Sequence, residues 1–230
     1  MKLHRFFVTQ NLEEKDTVFV DEPNLFHQLR NVFRFTVGGQ VILLDNSGYE
    51  YHSLISAFEK GGITFSIVSR KTSKKIPEKE VYLFCSLIKK DKFEWVLEKG
   101  TELGISKFIP VISDRSEKKD INIERAKKIL KEAAEQSERA IIPTLDPLVS
   151  LETALKQEIP LIAFHPKGEP FLAEHVYSKS LFGVFIGPEG GWTEREIFLF
   201  KKNKVPIYSL GKGILKTETA AIAASSLLLL

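Results

Sequence analysis

The pattern of apolar and polar residues changes near residue 75. Before that point the chain consists of short β segments separated by turn residues such as Gly38-Gly39 and Gly61-Gly62. The predicted strands cover residues 4–9, 17–21, 40–46, 49–58 and 63–70. Several closely spaced strands within about 70 residues are typical of a small β-barrel. Residues 24–34 are the exception, since their apolar spacing predicts a short helix that Asn24 would cap.

Beyond residue 77, apolar runs of strand length alternate with stretches of helical period. Strands are predicted at 81–88, 108–112, 161–165, 181–187 and 205–210. Helices are predicted to start near Asp91, to run over 123–139, to start at Thr193 with a capping box to Glu196, and to run over 217–230. This alternation predicts an α/β fold with a mostly parallel sheet of about five strands. A polar stretch from Arg70 to Pro77 separates the halves, so we predict two domains, residues 1–72 and 77–230.

Composition narrows the class of protein. Of the 230 residues, 43% are hydrophobic and 27% charged, which excludes disordered, collagen-like and coiled-coil chains. The net charge of +3 means that any nucleic-acid site must be a local patch. The single cysteine, Cys85, excludes an internal disulfide framework and fits a reducing compartment. No apolar stretch approaches the roughly 20 residues of a membrane span, and the first residues lack a secretory signal. We expect a soluble, cytoplasmic protein with no membrane partner.

Two glycine-bearing loops follow neighbouring strands of the predicted sheet. One is Gly187-Pro188-Glu189-Gly190-Gly191, and the other contains Gly211-Lys212-Gly213. In open parallel sheets, ligands bind beyond the carboxyl ends of strands, where glycines let the backbone approach a ligand. Either loop alone could be a tight turn before a helix, but two at adjacent strand ends indicate a pocket. Neither loop matches a phosphate-binding fingerprint, and the apolar residues nearby suit adenosine without a polyphosphate.

Metal and nucleophile chemistry have little support. The five histidines show no i, i+4 pair and no carboxylate at ligand spacing, so no metal site is expected. Cys85 lies inside an apolar run, which favours a core residue over a nucleophile.

Two groups of residues, most of them basic, are candidates for RNA contacts. Arg5 lies beside two phenylalanines, and the predicted short helix carries His27, Arg30 and Arg34, which could together contact phosphates. Lysines at 89, 90 and 92 follow the first strand of the α/β half, and Gln136 with Arg139 ends its long helix. An exposed, solvated face explains each of these residues about as well.

Six blocks of sequence carry a family resemblance. They are HRFFV (4–8), HQLRNVFR (27–34), KKDKFEWVLEKGTELGISKFIPV (89–111), EAAEQSERAIIP (132–143), IGPEGGWTEREI (186–197) and SLGKGILKTETAA (209–221). With these blocks the chain resembles the uridine-N3 methyltransferases of 16S ribosomal RNA, the RsmE type of the SPOUT superfamily. Lys216 stands where that family usually has arginine, which preserves the charge and loses the bidentate geometry of a guanidinium.

The resemblance implies an N-terminal PUA-like β-barrel that helps to hold RNA and a C-terminal SPOUT domain with a deep trefoil knot. It also implies S-adenosylmethionine as cofactor, 16S ribosomal RNA or the small subunit as partner, and a homodimer whose interface completes the active site. The C-terminal helix, residues 220–230, is the candidate partner surface. The implied cofactor-binding residues are His165, Ile186, Gly187, Pro188, Glu189, Gly190, Gly191, Leu210, Gly211, Ile214, Leu215, Thr217, Thr219 and Ala220.

Methylation at N3 of uridine requires removal of a proton. We hypothesise that Arg139 or Lys89 places positive charge near the uracil oxygens and that Glu189 or Glu218 accepts the proton, although both carboxylates could instead only fix loops. The candidate RNA-binding residues are Arg5, His27, Arg30, Arg34, Lys90 and Gln136. Two alternatives stay open: a non-catalytic RNA-binding or ribosome-assembly factor, and a SPOUT methyltransferase that modifies another RNA position.

Overall fold

The structure, a computed structural model, describes residues 3–74, 79–116, 120–172 and 180–230. The chain forms two compact units. The first comprises Met1–Ile76 together with Ala134–Ile142, and the second comprises Pro77–Ala133 together with Pro143–Leu230. The sequence does not predict that residues 134–142 belong to the first unit, because the predicted helix runs from residue 123 to 139 without a break at 134.

The first unit contains a five-stranded sheet. Its strands are β1 (Arg5–Phe7), β2 (Thr17–Val20), β3 (Gln40–Leu44), β4 (Tyr49–Glu59) and β5 (Gly62–Thr72). They lie in the order β1-β3-β4-β5-β2, with β1 parallel to β3 and the other pairs antiparallel. In residues 3–74 no pairing joins the two outer strands β1 and β2, so the predicted closed barrel is not confirmed.

The helical segment of this unit begins two residues earlier than the predicted cap at Asn24 implies. Helix α1 (Pro23–His27) is followed by a π-helical turn, Gln28–Val32. The N-cap is Glu22, without a side-chain cap bond, so the predicted cap at Asn24 is wrong. Proline at the first helical position explains the shift, because its fixed φ suits that position and it has no N–H to satisfy.

The second unit contains a parallel sheet, as predicted. Its strands are β6 (Glu80–Ser86), β7 (Lys107–Ile112), β8 (Thr144–Leu145), β9 (Val149–Ser150), β10 (Leu161–Pro170), β11 (Leu181–Ile186) and β12 (Ile207–Ser209). They lie in the order β12-β10-β11-β6-β7-β8, and β9 also pairs with β7. The prediction of about five strands missed β8 and β9, because two residues are too few to show a period.

Five helices flank this sheet in the described residues. They are α2 (Lys90–Leu103), α3 (Ile123–Gln136), α4 (Leu151–Ala154), α5 (Glu194–Lys202) and α6 (Thr217–Leu229). The capping box of α5 is confirmed, since Thr193 and Glu196 exchange both cap hydrogen bonds. The cap proposed at Asp91 is wrong, because Lys89 is the N-cap of α2. Helix α3 ends at Gln136, so Arg139 lies beyond it. None of the helices in the described ranges is long and apolar enough to cross a membrane.

Candidate cofactor site

A cavity of about 350 Å³ lies at the carboxyl ends of β11 and β12 and beside residues 164–167 of β10. This volume falls within the range of small-molecule sites, roughly 300–1,000 Å³. The predicted residues that line it are His165, Ile186, Gly187, Pro188, Glu189, Gly190, Gly191, Leu210, Ile214, Leu215, Thr217 and Ala220. Gly211 and Thr219 are not among the lining residues, whereas the lining also includes Gly213, from the second predicted loop, and five residues outside the predicted set: Phe164, Pro166, Lys167, Trp192 and Ser209.

An irregularity in β10 forms one wall of the cavity. The pairing of β10 with β12 shifts register between Phe164 and Glu169, so β10 continues to Pro170 and does not end at His165 as predicted. Within this stretch a Cβ on Gly168 would lie 2.5 Å from the carbonyl carbon of Tyr208. Only glycine allows the two strands to approach so closely at this position. The register shift places residues 165–167, which line the cavity, between the two paired stretches of β10.

His165 presents a neutral ring in this wall. Its Nδ1 accepts a hydrogen bond from the backbone N–H of Lys167 at 3.1 Å. Burial lowers the pKa of His165, and the charge of Lys167 lowers it further. At neutral pH the ring therefore carries its proton on Nε2, which leaves one hydrogen-bond donor for a ligand.

The loop after β11 is fixed to β10 by Trp192. Its ring is buried and donates a hydrogen bond from Nε1 to the carbonyl oxygen of Phe164 at 3.1 Å. The ring packs so closely on Gly187 that a Cβ there would lie 3.0 Å from it. Gly191 has a φ of +67°, a conformation that favours glycine. Both ends of this loop therefore depend on glycine for their geometry.

A second anchor comes from the loop after β7. Arg115 donates a hydrogen bond from Nη1 to the carbonyl oxygen of Gly190 at 2.5 Å. The buried carboxylate of Glu196 accepts hydrogen bonds from the backbone N–H groups of Asp114, at 2.9 Å, and Thr193, at 2.8 Å. The Arg195 guanidinium beside Asp114 holds the pKa of that carboxyl below its usual range. The contacts of Arg115 with Gly190 and of Asp114 with Glu196 join distant parts of the chain, so no local pattern predicts them. The capping box from Thr193 to Glu196 is local and is predicted.

The loop after β12 supplies an apolar wall. Ser209 donates a hydrogen bond to the carbonyl oxygen of Gly211 at 2.8 Å, and Gly211 has a φ of +142°. Ile214 is 87% exposed and Leu215 39%, although both line the cavity. Apolar side chains this exposed at the rim of a cavity indicate a surface for an apolar ligand group such as a purine ring.

The structure brings three of the four candidate catalytic residues into the second unit. Lys92 Nζ lies 3.3 Å from Glu189 Oε1 and 3.8 Å from Glu218 Oε1, so one lysine joins both candidate proton acceptors. Lys89, the third candidate, is the N-cap of α2. The fourth, Arg139, belongs to the first unit, where burial lowers its pKa to about 10.

The candidate RNA-binding residues have varied surroundings. Arg5 lies 3.3 Å from Glu50 and 3.6 Å from Glu138, which favours a structural role for its guanidinium. Arg30 is exposed and lies over the ring of Phe58, 4.9 Å from its centroid. The other residues of this set have the following positions: His27 contacts Asn31 at 2.9 Å, Arg34 is exposed with a φ of +58°, Lys90 lies 4.0 Å from Glu94, and Gln136 ends α3.

Two further observations concern metal and thiol chemistry. Within the ranges that the structure describes, no three His, Cys, Asp or Glu side chains come together as a possible metal site. Cys85 is buried, and burial raises the pKa of its thiol to about 12. A thiol in that state is a poor nucleophile.

Comparison with known proteins decides the family. Residues 74–229 match the family described as RNA methyltransferase domain. The ribosomal RNA small subunit methyltransferase E of Bacillus subtilis is 32% identical over 246 residues, covering 97% of this chain and 95% of the relative. That of Rickettsia conorii is 30% identical and covers 97% and 94%. This chain belongs to the ribosomal RNA small subunit methyltransferase E family.

Solved structures of similar proteins share the fold. The methyltransferase E of Neisseria gonorrhoeae, bound to S-adenosyl methionine, is 27% identical and matches with a TM-score of 0.89 over 98% of this chain and 96% of that one. A methyltransferase from Legionella pneumophila, in complex with the same cofactor, is 26% identical, with the same score and coverage. The α/β architecture is therefore that of the family along nearly the whole chain.

Proposed function

We propose that this chain transfers a methyl group from S-adenosylmethionine to N3 of a specific uridine in 16S ribosomal RNA. The observation that carries the proposal is the cavity that two glycine-bearing loops and the irregular stretch of β10 form at one edge of the parallel sheet. Relatives covering nearly the whole chain are named ribosomal RNA small subunit methyltransferases, and two solved relatives hold the cofactor.

The cavity suits the cofactor chemically. Leu210, Ile214 and Leu215 offer an apolar surface for the adenine ring. The glycines of the loop after β11 expose backbone groups that can hydrogen-bond the polar parts of the cofactor. No lysine-bearing phosphate loop is present in the sequence, as expected for a ligand without phosphates.

Methyl transfer to N3 requires the protein's own residues to orient uridine and to remove its N3 proton. When bound, S-adenosylmethionine supplies an electrophilic methyl group whose bond to sulfur breaks as the bond to N3 forms. The protein has to orient uridine, which can contribute about 7–11 kcal/mol, and to remove the N3 proton. Glu189, on the cavity wall, or Glu218 accepts that proton, and Lys89 or Arg139 stabilises the negative charge on the uracil oxygens. Gln substitutions at Glu189 and Glu218, compared at saturating cofactor, identify the acceptor, because under that condition its loss slows the single-turnover rate more than loss of the other carboxylate does.

We further propose that the first unit is a PUA-like RNA-binding domain, over residues 1–72, and that residues 77–230 are a SPOUT domain with a trefoil knot. The sequence resemblance supports both assignments. The exposed surface around Arg30, Arg34 and His27 supports the RNA role, because its apolar neighbours Val32 and Phe33 are also exposed. Bases stack on exposed aromatic rings such as that of Phe33, and this stacking combines with phosphate contacts in many RNA-binding domains.

The active form is proposed to be a homodimer in the cytoplasm. Helix α6 buries Ala221, Ala224 and Leu228, yet Leu227 is 53% exposed and Leu230 91%. Apolar residues left exposed on a helix are suited to a second copy of the chain. Light scattering at micromolar concentration tests this part of the proposal, which predicts twice the mass of one chain.

Titration with S-adenosylmethionine tests the enzymatic proposal against a non-catalytic RNA-binding factor. We expect saturable binding with one site per chain. Gly191→Val, which places a branched side chain at a positive φ within the loop, is expected to abolish it. A wild-type chain that is folded and shows no binding heat at millimolar cofactor contradicts the proposed function.

A further inference from the structure

A single lysine joins the two loops of the cofactor cavity. Lys92, in the first turn of α2, lies within 4.0 Å of both Glu189 and Glu218. Glu189 is part of the loop after β11 and lines the cavity, whereas Glu218 follows the second loop, in the first turn of α6. An ammonium group from a third element therefore contacts the first loop and the start of the helix that follows the second, although it does not line the cavity itself.

The two carboxylates depend on this lysine for charge compensation. The Glu218 side chain is only 16% exposed, and its Oε2 is a buried atom with no hydrogen-bond partner in the described residues. In the part of the chain that the structure describes, Lys92 is the only cation in ion-pair contact with either carboxylate. The hydrogen bond to Glu189 raises the pKa of Lys92, so the lysine stays charged throughout the neutral range.

The other titratable groups near this cluster do not replace the lysine. Asp91, adjacent on α2, adds negative charge that acts on Lys92. On β6, burial and the charges of Glu189 and Glu218 raise the pKa of the Cys85 thiol to about 12, so the thiol stays neutral. Without the ammonium, the two carboxylates would therefore repel each other at neutral pH.

We propose that Lys92 is a positioning residue for the methyl-transfer site: it draws Glu189 and Glu218 together and so holds the two loops in the arrangement that accepts the cofactor. This inference rests on the proposed function, since it assumes that the cavity binds S-adenosylmethionine. Repulsion between the carboxylates would separate the loop after β11 from the start of α6 and widen the cavity between them.

Calorimetric titration with S-adenosylmethionine tests the inference through binding alone. For Lys92→Met we expect the Kd to rise about tenfold at pH 8. Lys92→Arg should keep the Kd within about threefold of the wild type, because it restores the charge.

Lys99→Met is the matched control. Lys99 lies on the same helix, is 32% exposed against 29% for Lys92, and also contacts two carboxylates, those of Glu98 and Glu102, both at 2.8 Å. Its loss removes the same number of ion pairs away from the cavity. We expect no change in the Kd for the cofactor.

The double variant Lys92→Met with Glu218→Gln separates positioning from a general structural role. Removing one carboxylate also removes the repulsion, so the double variant should bind the cofactor more tightly than Lys92→Met. The double variant also provides a test if Lys92→Met does not fold. Equal or weaker binding by the double variant, or a Lys92→Met chain with wild-type Kd, overturns the inference. A wild-type chain that binds no cofactor overturns the proposed function as well.

Discussion

Trp192 donates a hydrogen bond to the carbonyl oxygen of Phe164 and thereby connects the loop after β11 to β10. Phe164 lies in β10 and Trp192 in the loop that follows the neighbouring strand β11, and both residues line the cofactor cavity. The bond fixes one wall of the cavity to another before any ligand arrives. A site held in this way loses little conformational entropy when it binds.

We predict that Trp192→Phe weakens both stability and cofactor binding. Phenylalanine fills most of the space but cannot donate, and an unsatisfied buried acceptor costs about 1–3 kcal/mol. Urea unfolding should show a loss of that size, and calorimetry an increased Kd for S-adenosylmethionine. Trp95→Phe is the control, since Trp95 is 42% exposed and its replacement should change neither quantity. Wild-type values for Trp192→Phe would show that the bond does not position the loop.

Gly168→Ala should destabilise the second unit. Its new Cβ would lie 2.5 Å from the backbone of Tyr208, and a backbone cannot move aside as a side chain can. Overpacking of this kind costs about 1–3 kcal/mol. Gly213→Ala is the control for stability, because no atom lies within 4 Å of its added Cβ. The free energies of unfolding of the two variants decide the matter, and equal values would contradict the prediction.

The pH dependence of stability should include a contribution from His165. The pKa of His165 is lowered from 6.5 by burial and by Lys167. The unfolded chain therefore takes up this proton at a higher pH than the folded chain does, so the free energy of unfolding falls as the pH drops below 6.5. In His165→Gln this part of the decrease should vanish. Denaturant unfolding at about pH 7.5 and about pH 5.5 measures it, and identical pH dependence in both proteins would refute the assignment.

Glu196→Ala should loosen the link between the loops after β7 and β11. It removes the buried carboxylate that accepts from the N–H groups of Asp114 and Thr193, and the loss of a hydrogen bond to a charged group costs about 1.5–3 kcal/mol. Glu194→Ala, an exposed first-turn carboxylate of the same helix, should cost only about 0.3–1 kcal/mol. Thermal or urea unfolding compares the two variants. A Glu196→Ala chain no less stable than Glu194→Ala would contradict this role.

Arg30→Ala tests the RNA-binding role of the first unit. If Arg30 contacts a phosphate, its loss should weaken RNA binding and reduce the slope of log K against log salt by roughly 0.7–0.9. The measurement is RNA affinity at several salt concentrations. An unchanged affinity and slope would place RNA binding elsewhere on the chain.

Much of the site could be predicted because its chemistry is local in sequence. The glycines at 187, 190 and 191 follow an apolar strand directly, and the capping box from Thr193 to Glu196 marks the start of α5. The parallel sheet follows from alternation of strands and helices. The roles of the individual side chains stay predictions.

The remaining features depend on contacts that no local pattern encodes. The register shift in β10 depends on the close approach of Gly168 to Tyr208, about 40 residues away along the chain. The local apolar pattern does not contain this contact and therefore predicts a strand that ends at His165. The hydrogen bond from Arg115 to Gly190 joins different loops, as does the contact of Lys92 with Glu218. Strands β8 and β9 have only two residues each, and tertiary pairing alone defines them.

The product of the proposed reaction is a uridine methylated at N3. Mass mapping of methylated nucleosides in 16S ribosomal RNA from a strain that lacks this protein detects its loss. We expect one uridine to lose its N3 methyl group and the wild-type chain to restore it. Unchanged methylation of every uridine N3, or loss of a methyl group from another base or from a ribose, would contradict it.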